Sequence, residues 1–129
     1  MTLERGQLIP HFAVTTIDGD RFEYADIWQR RNLLLIALPA AVSSDAADRY
    51  LTDLTSRSEE LEAFETTCVI TFDRVPGVVA PAVVITDRWG EVYATTAVAT
   101  IAALPSADAI FEWLRYINHE CPECQGEVR

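Results

Sequence analysis

The chain has 129 residues, of which 20 are acidic and 10 are basic, giving a net charge of −10. This length fits one domain, and a hydrophobic content of 50% excludes the disordered, collagen-like and low-complexity classes. A surface this acidic repels phosphate backbones and anionic lipid, so neither nucleic acid nor a membrane is expected as a partner. The first residues lack the pattern of an export signal, so a cytoplasmic location with reduced cysteines is expected.

The first half of the chain predicts a β-hairpin followed by a strand–helix–strand unit. Two β-prone segments flank Asp18-Gly19, which is a hairpin turn signal. The apolar run 32–38 indicates a strand that is buried on both faces and has a parallel neighbour. Helical spacing then spans 43–64 with a break near 56–58, where Ser56 and Glu59 match a capping box. The strand predicted at 67–72 should lie parallel to the first, joined by a right-handed crossover.

The second half predicts a second hairpin and a closing helix. Residues 73–79 indicate a loop, and strands at 82–86 and 91–95 flank a turn at 87–90. A helix begins after Pro105 and is predicted to end near His119. We therefore expect one domain over 1–119 and a C-terminal tail over 120–129.

The order of these elements resembles the thioredoxin fold, an α/β architecture with a central mixed sheet and flanking helices. Residues 6–12 read Gly-x-x-Ile-Pro-x-Phe, and residues 80–90 read Ala-Pro-Ala-Val-Val-Ile-Thr-Asp-x-x-Gly. Together with Asp18-Gly19, these strings resemble the redoxin or peroxiredoxin-like branch, which includes the alkyl hydroperoxide reductase and thiol-specific antioxidant proteins. The resemblance covers most of 6–117 and implies that Ala80 and Pro81 stand at the cis-proline that precedes a strand.

The chain departs from this family where the chemistry is expected. Peroxiredoxins carry Pro-x-x-x-Thr/Ser-x-x-Cys at the end of the first strand of the strand–helix–strand unit, and this chain has Pro39, Ser43 and Ala46 at that spacing. Alanine cannot attack a peroxide or a disulfide, so conventional peroxiredoxin activity is not expected. What remains is a groove that would bind a protein or peptide partner without chemistry, formed by Pro39, Ser43, Ala46, Ala80 and Pro81.

A second departure is the short connection before the cis-proline. Redoxins usually insert a helix between the second strand of the unit and the cis-proline, whereas Phe72 and Pro81 leave room only for a loop. We expect this trimming to open a surface near Trp89.

Two of the three cysteines form the motif Cys121-Pro-Glu-Cys124. The motif follows a predicted helix C-terminus and contains Glu123, and the negative end of the helix and the carboxylate both raise the pKa of nearby thiols. Fast nucleophilic attack is therefore not expected, although slow cycling between dithiol and disulfide remains open. With His119, the two cysteines also form an incomplete zinc site that a second copy of the chain would complete. No other cofactor is expected.

The remaining reactive or charged residues have simpler interpretations. Cys68 lies on a predicted buried strand and reads as a small packed hydrophobe. Arg74 and Arg88 are placed near the Pro81 loop as solvated charges, and Trp89, in a turn, is expected to be exposed.

Three functions stay open at this point. The first is thiol–disulfide exchange at Cys121 and Cys124, with a thioredoxin-type protein as reductant, and the sequence favours it. The second is a non-catalytic binding module that uses the groove. The third is a homodimer held by zinc between two CPEC motifs.

Overall fold

The computed structural model of the chain describes residues 2–39 and 45–128, and the side chains of these residues except those of 46 and 118–128. An N-terminal hairpin comes first, with strands β1 (Ala13–Thr15) and β2 (Arg21–Glu23) paired antiparallel. Its turn contains Gly19 at a φ of 91°, a left-handed conformation that glycine adopts without strain. The predicted turn at Asp18-Gly19 is confirmed.

The central sheet is mixed and has four strands in the order β4-β3-β5-β6. They are β3 (Asn32–Ala37), β4 (Thr66–Thr71), β5 (Ala82–Thr86) and β6 (Val92–Ala97). β3 pairs with β4 in parallel and with β5 antiparallel, and all six of its residues are buried. The prediction of a strand buried on both faces with a parallel neighbour is therefore confirmed.

Within the described residues, three α-helices accompany this sheet, α1 (Asp45–Thr55), α2 (Ser58–Ala63) and α3 (Ala107–Val128), together with short 3-10 helices at Tyr24–Asp26 and Ile101–Ala103. The predicted break between α1 and α2 is confirmed, but the predicted capping box is wrong. Ser56 Oγ donates to the carbonyl of Asp53 at 2.9 Å, so this hydroxyl closes the end of α1 instead of capping α2, whose N-cap is Arg57. No helix within the described residues is both long enough and apolar enough to cross a membrane.

Helix α3 begins as predicted but ends later than predicted. The Ser106 hydroxyl accepts a hydrogen bond from the amide of Ala109 at 3.2 Å and caps the helix. The helix then continues past His119 to Val128, although Pro122 and Gly126 in this stretch are poor helix formers. The CPEC motif therefore belongs to the last turns of α3 and does not follow the end of the helix.

The alternating side chains of β3 divide the core into two layers. Leu34 and Ile36 pack with α1, α2 and α3, whereas Leu33 and Leu35 pack with the N-terminal segment. The second layer is completed by Val75 from the connection between β4 and β5 and by buried residues of the N-terminal segment, which include Leu3, Ile9, Phe12, Val14, Tyr24 and Ile27. Among the described residues, the N-terminal segment and Val75 cover this sheet face without an α-helix, which fits the predicted trimmed fold.

Candidate binding groove

The sheet topology brings three chain segments to one edge. β3 and β4 run parallel and end side by side, with Ala37 opposite Thr71, and β5 begins at the same edge, with Ala82 opposite Ala37. The residues that follow β3, follow β4 and precede β5 therefore meet there. The carboxyl ends of parallel strands are where ligands bind in open α/β sheets.

A groove of about 610 Å³ lies at this edge, lined by residues 37–39 and 72–80. None of residues 72–81 is in a helix or strand, so the connection from β4 to β5 forms one wall as an irregular loop. Val75 is buried and anchors this loop on the core. The volume lies within the range of pockets that hold small ligands or side chains of a partner.

The wall of the groove exposes large apolar side chains. Phe72 is 42% exposed and Val79 is 61% exposed, although both lie next to buried strands. Pro39 on the facing segment is half-buried. Apolar side chains grouped on a concave surface are typical of a site that contacts another molecule.

Hydrogen bonds fasten the start of the loop to the N-terminal hairpin. Asp73 Oδ2 accepts from the amide of Thr15 at 2.7 Å, and the Thr71 hydroxyl donates to the carbonyl of Thr15 at 2.8 Å. The amide of Asp73 in turn donates to Thr71 Oγ1 at 2.9 Å. These bonds hold Phe72, between the two anchoring residues, at the mouth of the groove.

Two of the five groove residues predicted from sequence line the groove, and a third, Pro81, adjoins it. Pro39 and Ala80 line the groove, and Pro81 follows Ala80 through a cis peptide bond. Pro81 itself is buried, and its carbonyl accepts from the amide of Val98 at 3.0 Å. Ser43 and the side chain of Ala46 lie outside the described residues.

Comparison with known proteins identifies the architecture. No family model and no curated protein sequence matches the chain. Among solved structures, the reduced 2-Cys peroxiredoxin of Plasmodium vivax matches with a TM-score of 0.73 and 13% identity, over 92% of this chain and 83% of that one. Peroxidoxin BcpB of Mycobacterium tuberculosis matches with a TM-score of 0.68 and 12% identity, over 89% of this chain and 98% of that one. A thiol:disulfide interchange protein of the thioredoxin family from Chlorobium tepidum matches with a TM-score of 0.64 and 10% identity, over 91% of this chain and 99% of that one.

This chain has a thioredoxin-like fold. The peroxiredoxin neighbours confirm the peroxiredoxin-like form of that fold, with a mixed sheet, flanking helices and a small N-terminal hairpin. At these identities the likeness concerns the fold, and the chemistry of the site has to be argued from this chain's own residues.

In this thioredoxin-like fold, Cys68 lies on β4 and takes no part in the groove. It stands opposite Leu34 and packs against the helix-side core. Burial raises the pKa of its thiol to about 12, so the thiol is almost entirely protonated at neutral pH and is a poor nucleophile. The interpretation of Cys68 as a packed hydrophobe agrees with this environment.

The side chains of the CPEC motif and of His119 lie outside the described residues. Within the described part of the chain, no three His, Cys, Asp or Glu side chains come together to hold a metal ion. The redox and zinc hypotheses for Cys121 and Cys124 therefore stay predictions.

Arg88 was wrongly placed near the Pro81 loop, whereas Arg74 lines the groove as expected. β5 begins at the groove and runs away from it, so Arg88, two residues beyond its last residue, lies at the opposite end of the sheet. There its guanidinium pairs with Glu65 at 3.1 Å. Trp89 is 47% exposed, as predicted, but it also lies at that far end, so the surface opened by the short connection is the groove.

Sequence reasoning missed Phe72 and Val79 as groove residues. The interpretation placed Phe72 as the last residue of a strand and Val79 as part of a loop. A signal for Phe72 was available, because it is a large aromatic residue at the carboxyl end of a predicted parallel strand. Ligands bind at that end of the strands in open α/β sheets.

Proposed function

We propose that this chain is a binding protein whose groove holds an extended apolar segment of a protein partner and performs no thiol chemistry on it. The observation that carries the proposal is an open groove of about 610 Å³ that presents Phe72 and Val79 and whose lining residues, 37–39 and 72–80, include no cysteine. The resemblance to redoxins supports a peptide as occupant, because in that family the loop at the cis-proline contacts extended peptide partners.

The energetic argument concerns the two exposed side chains. Each would remove apolar area from water on contact with a partner, at about 25 cal/mol per Å². Phe72 and Val79 lie on a loop anchored by Val75 and Asp73, so little conformational entropy would be lost when they bind. A preformed apolar groove of this kind suits a partner segment with one or two large apolar side chains.

The test is selection of binding peptides from a phage-displayed random heptapeptide library on the immobilised protein. Selected sequences are then synthesised with a fluorescein label, and affinity is measured by fluorescence anisotropy. We expect the double variant Phe72→Ser/Val79→Ser to bind roughly tenfold more weakly or worse. The thermal unfolding midpoint of this variant should stay near that of the wild type, since both side chains are exposed.

The matched control is Leu8→Ser. Leu8 is 68% exposed and pairs with Glu91, which follows the Trp89 turn at the far end of the sheet. This variant removes a similar apolar side chain without touching the groove, so affinity should not change. If no peptide is enriched, or if Leu8→Ser weakens binding as much as the groove variant, the proposal is wrong.

The CPEC motif favours a second candidate function, thiol–disulfide exchange with a thioredoxin-type protein as reductant. Its support is the sequence, in which two of three cysteines have the spacing of a redox pair. Mass spectrometry after alkylation under air and under reductant tests it. A reversible loss of two hydrogens mapped to Cys121 and Cys124 would support the candidate, whereas two freely alkylated thiols under air would count against it. Native mass spectra of the same sample would reveal a zinc-bridged dimer.

A further inference from the structure

The two charged residues in the described lining of the groove, Asp73 and Arg74, differ in their bonds to the rest of the fold. Asp73 places a carboxylate oxygen 2.7 Å from the amide of Thr15, which donates to it, so this charge is engaged within the fold. Arg74 is exposed, and it forms no ion pair with any other described residue. In a chain with a net charge of −10, the groove therefore presents, beside its apolar wall, a guanidinium that forms no ion pair with another described residue.

We propose that the groove selects partner segments in which an acidic side chain, Asp or Glu, lies next to a large apolar side chain. The apolar side chain packs on Phe72 and Val79, and the carboxylate meets the guanidinium of Arg74. This inference rests on the proposed function and specifies the partner for the same groove. The planar guanidinium suits the task, because its donors match the two oxygens of a carboxylate.

Arg74 affects which partner segments bind more than it affects the total affinity for them. An exposed arginine–carboxylate pair contributes up to about 1 kcal/mol, which corresponds to roughly fivefold in affinity. A basic segment would meet a like charge, and a neutral segment would leave the guanidinium in water with no penalty. Salt screens exposed charges beyond about 8 Å at physiological ionic strength, so negative charges far from the groove weaken this preference little. Asp73, which precedes Arg74 and lines the same groove, is the negative charge that reduces it.

The experiment repeats the heptapeptide selection on the wild type, on Arg74→Glu and on Arg30→Glu. Arg30 is the matched control because it is exposed and forms no ion pair among the described residues. It lies two residues before the start of β3, at the end of the sheet opposite the groove. Both variants change the net charge equally. We expect Asp or Glu beside an aromatic or aliphatic residue in the pools from wild type and Arg30→Glu, and Lys or Arg in the pool from Arg74→Glu.

Fluorescence anisotropy then compares the affinities of two labelled peptides. One is a Glu-containing peptide from the wild-type pool, and the other has Gln in place of that Glu. On the wild type the Gln peptide should bind about fivefold more weakly, and on Arg74→Glu it should not bind more weakly than the Glu peptide. The difference on the wild type should shrink as NaCl rises to about 0.5 M, where screening acts over a few ångströms.

The outcomes separate this inference from the function on which it rests. Suppose that the selected peptides require Phe72 and Val79 but show no preference for acidic residues. The role of Arg74 is then wrong, while the proposed function stands. The same holds if Arg30→Glu changes the acidic preference as much as Arg74→Glu does. If no selected peptide depends on Phe72 and Val79, the proposed function fails and the inference fails with it.

Discussion

Cys68 should be almost unreactive toward iodoacetamide in the folded protein. Alkylation requires the thiolate, and burial raises the pKa of this thiol from its ordinary value of 9.0 to about 12. At pH 8 the thiolate fraction is then about 10⁻⁴, compared with about a tenth for an ordinary thiol. Carbamidomethylation of the folded protein should therefore be roughly a thousandfold slower than that of the unfolded chain.

The assay uses the double variant Cys121→Ser/Cys124→Ser, in which Cys68 is the one remaining cysteine. Mass spectrometry follows the label over time in native buffer and in guanidinium chloride. If ionisation limits the reaction, raising the pH from about 8 to about 9 should speed labelling of the folded protein about tenfold. The denatured sample controls for the intrinsic reactivity of the thiol.

A native rate within about tenfold of the denatured rate would refute this reasoning. It would mean that the sulfur is ionised or accessible despite its packing against the helix-side core. Cys68 would then be a candidate redox residue, although it lies outside the groove lining.

Two further predictions concern stability. Burial raises the pKa of Tyr24 and Tyr50 above the ordinary 10.0, so the stability that depends on their protonated state is complete below about pH 10 and falls as the pH rises further. Urea midpoints should drop as the pH rises from about 10 to about 11, and Tyr50→Phe should reduce that drop; an equal drop in the wild type and in Tyr50→Phe would contradict the assignment. Gly90→Ala should destabilise by about 2–3 kcal/mol, because Gly90 has a φ of 87° and a Cβ there would lie 3.0 Å from the Tyr24 hydroxyl. Gly19→Ala, with a φ of 91° and no atom within 4 Å, should lose only about 1 kcal/mol in the same urea assay, and equal losses would show that the contact is unimportant.

The central sheet was predictable because its signals are local. The apolar run of β3 is long enough for a buried strand and too short for a buried helix. Both faces of this strand are buried, so the prediction did not depend on its exact pairing. The turn at Gly19 follows from a conformation that other residues adopt with strain. These features depend on residues that are close in sequence, and such local patterns can be recognised in a single sequence.

The misjudged elements depend on tertiary contacts. β6 was predicted from Glu91 but begins at Val92, because the carbonyl of Glu91 accepts from the amide of Asp87 and closes the turn. Arg88 was misplaced because its location depends on the direction of β5. The exposure of Phe72 depends on the loop that follows it, whose path is fixed by the bonds of Asp73 and the burial of Val75.

The proposed binding groove and the CPEC motif occupy separate parts of this chain, and this separation makes the two candidate functions independently testable. The groove is built from residues 37–39 and 72–80, whereas the CPEC motif belongs to the last turns of α3. A groove that works by burial and charge needs no thiol, so Cys121→Ser/Cys124→Ser should bind selected peptides as tightly as the wild type does. Phe72→Ser/Val79→Ser should conversely leave any reversible disulfide unchanged. If either double variant abolishes both properties, the two regions act as one site, and the partner segment would then have to reach from the groove to the end of α3.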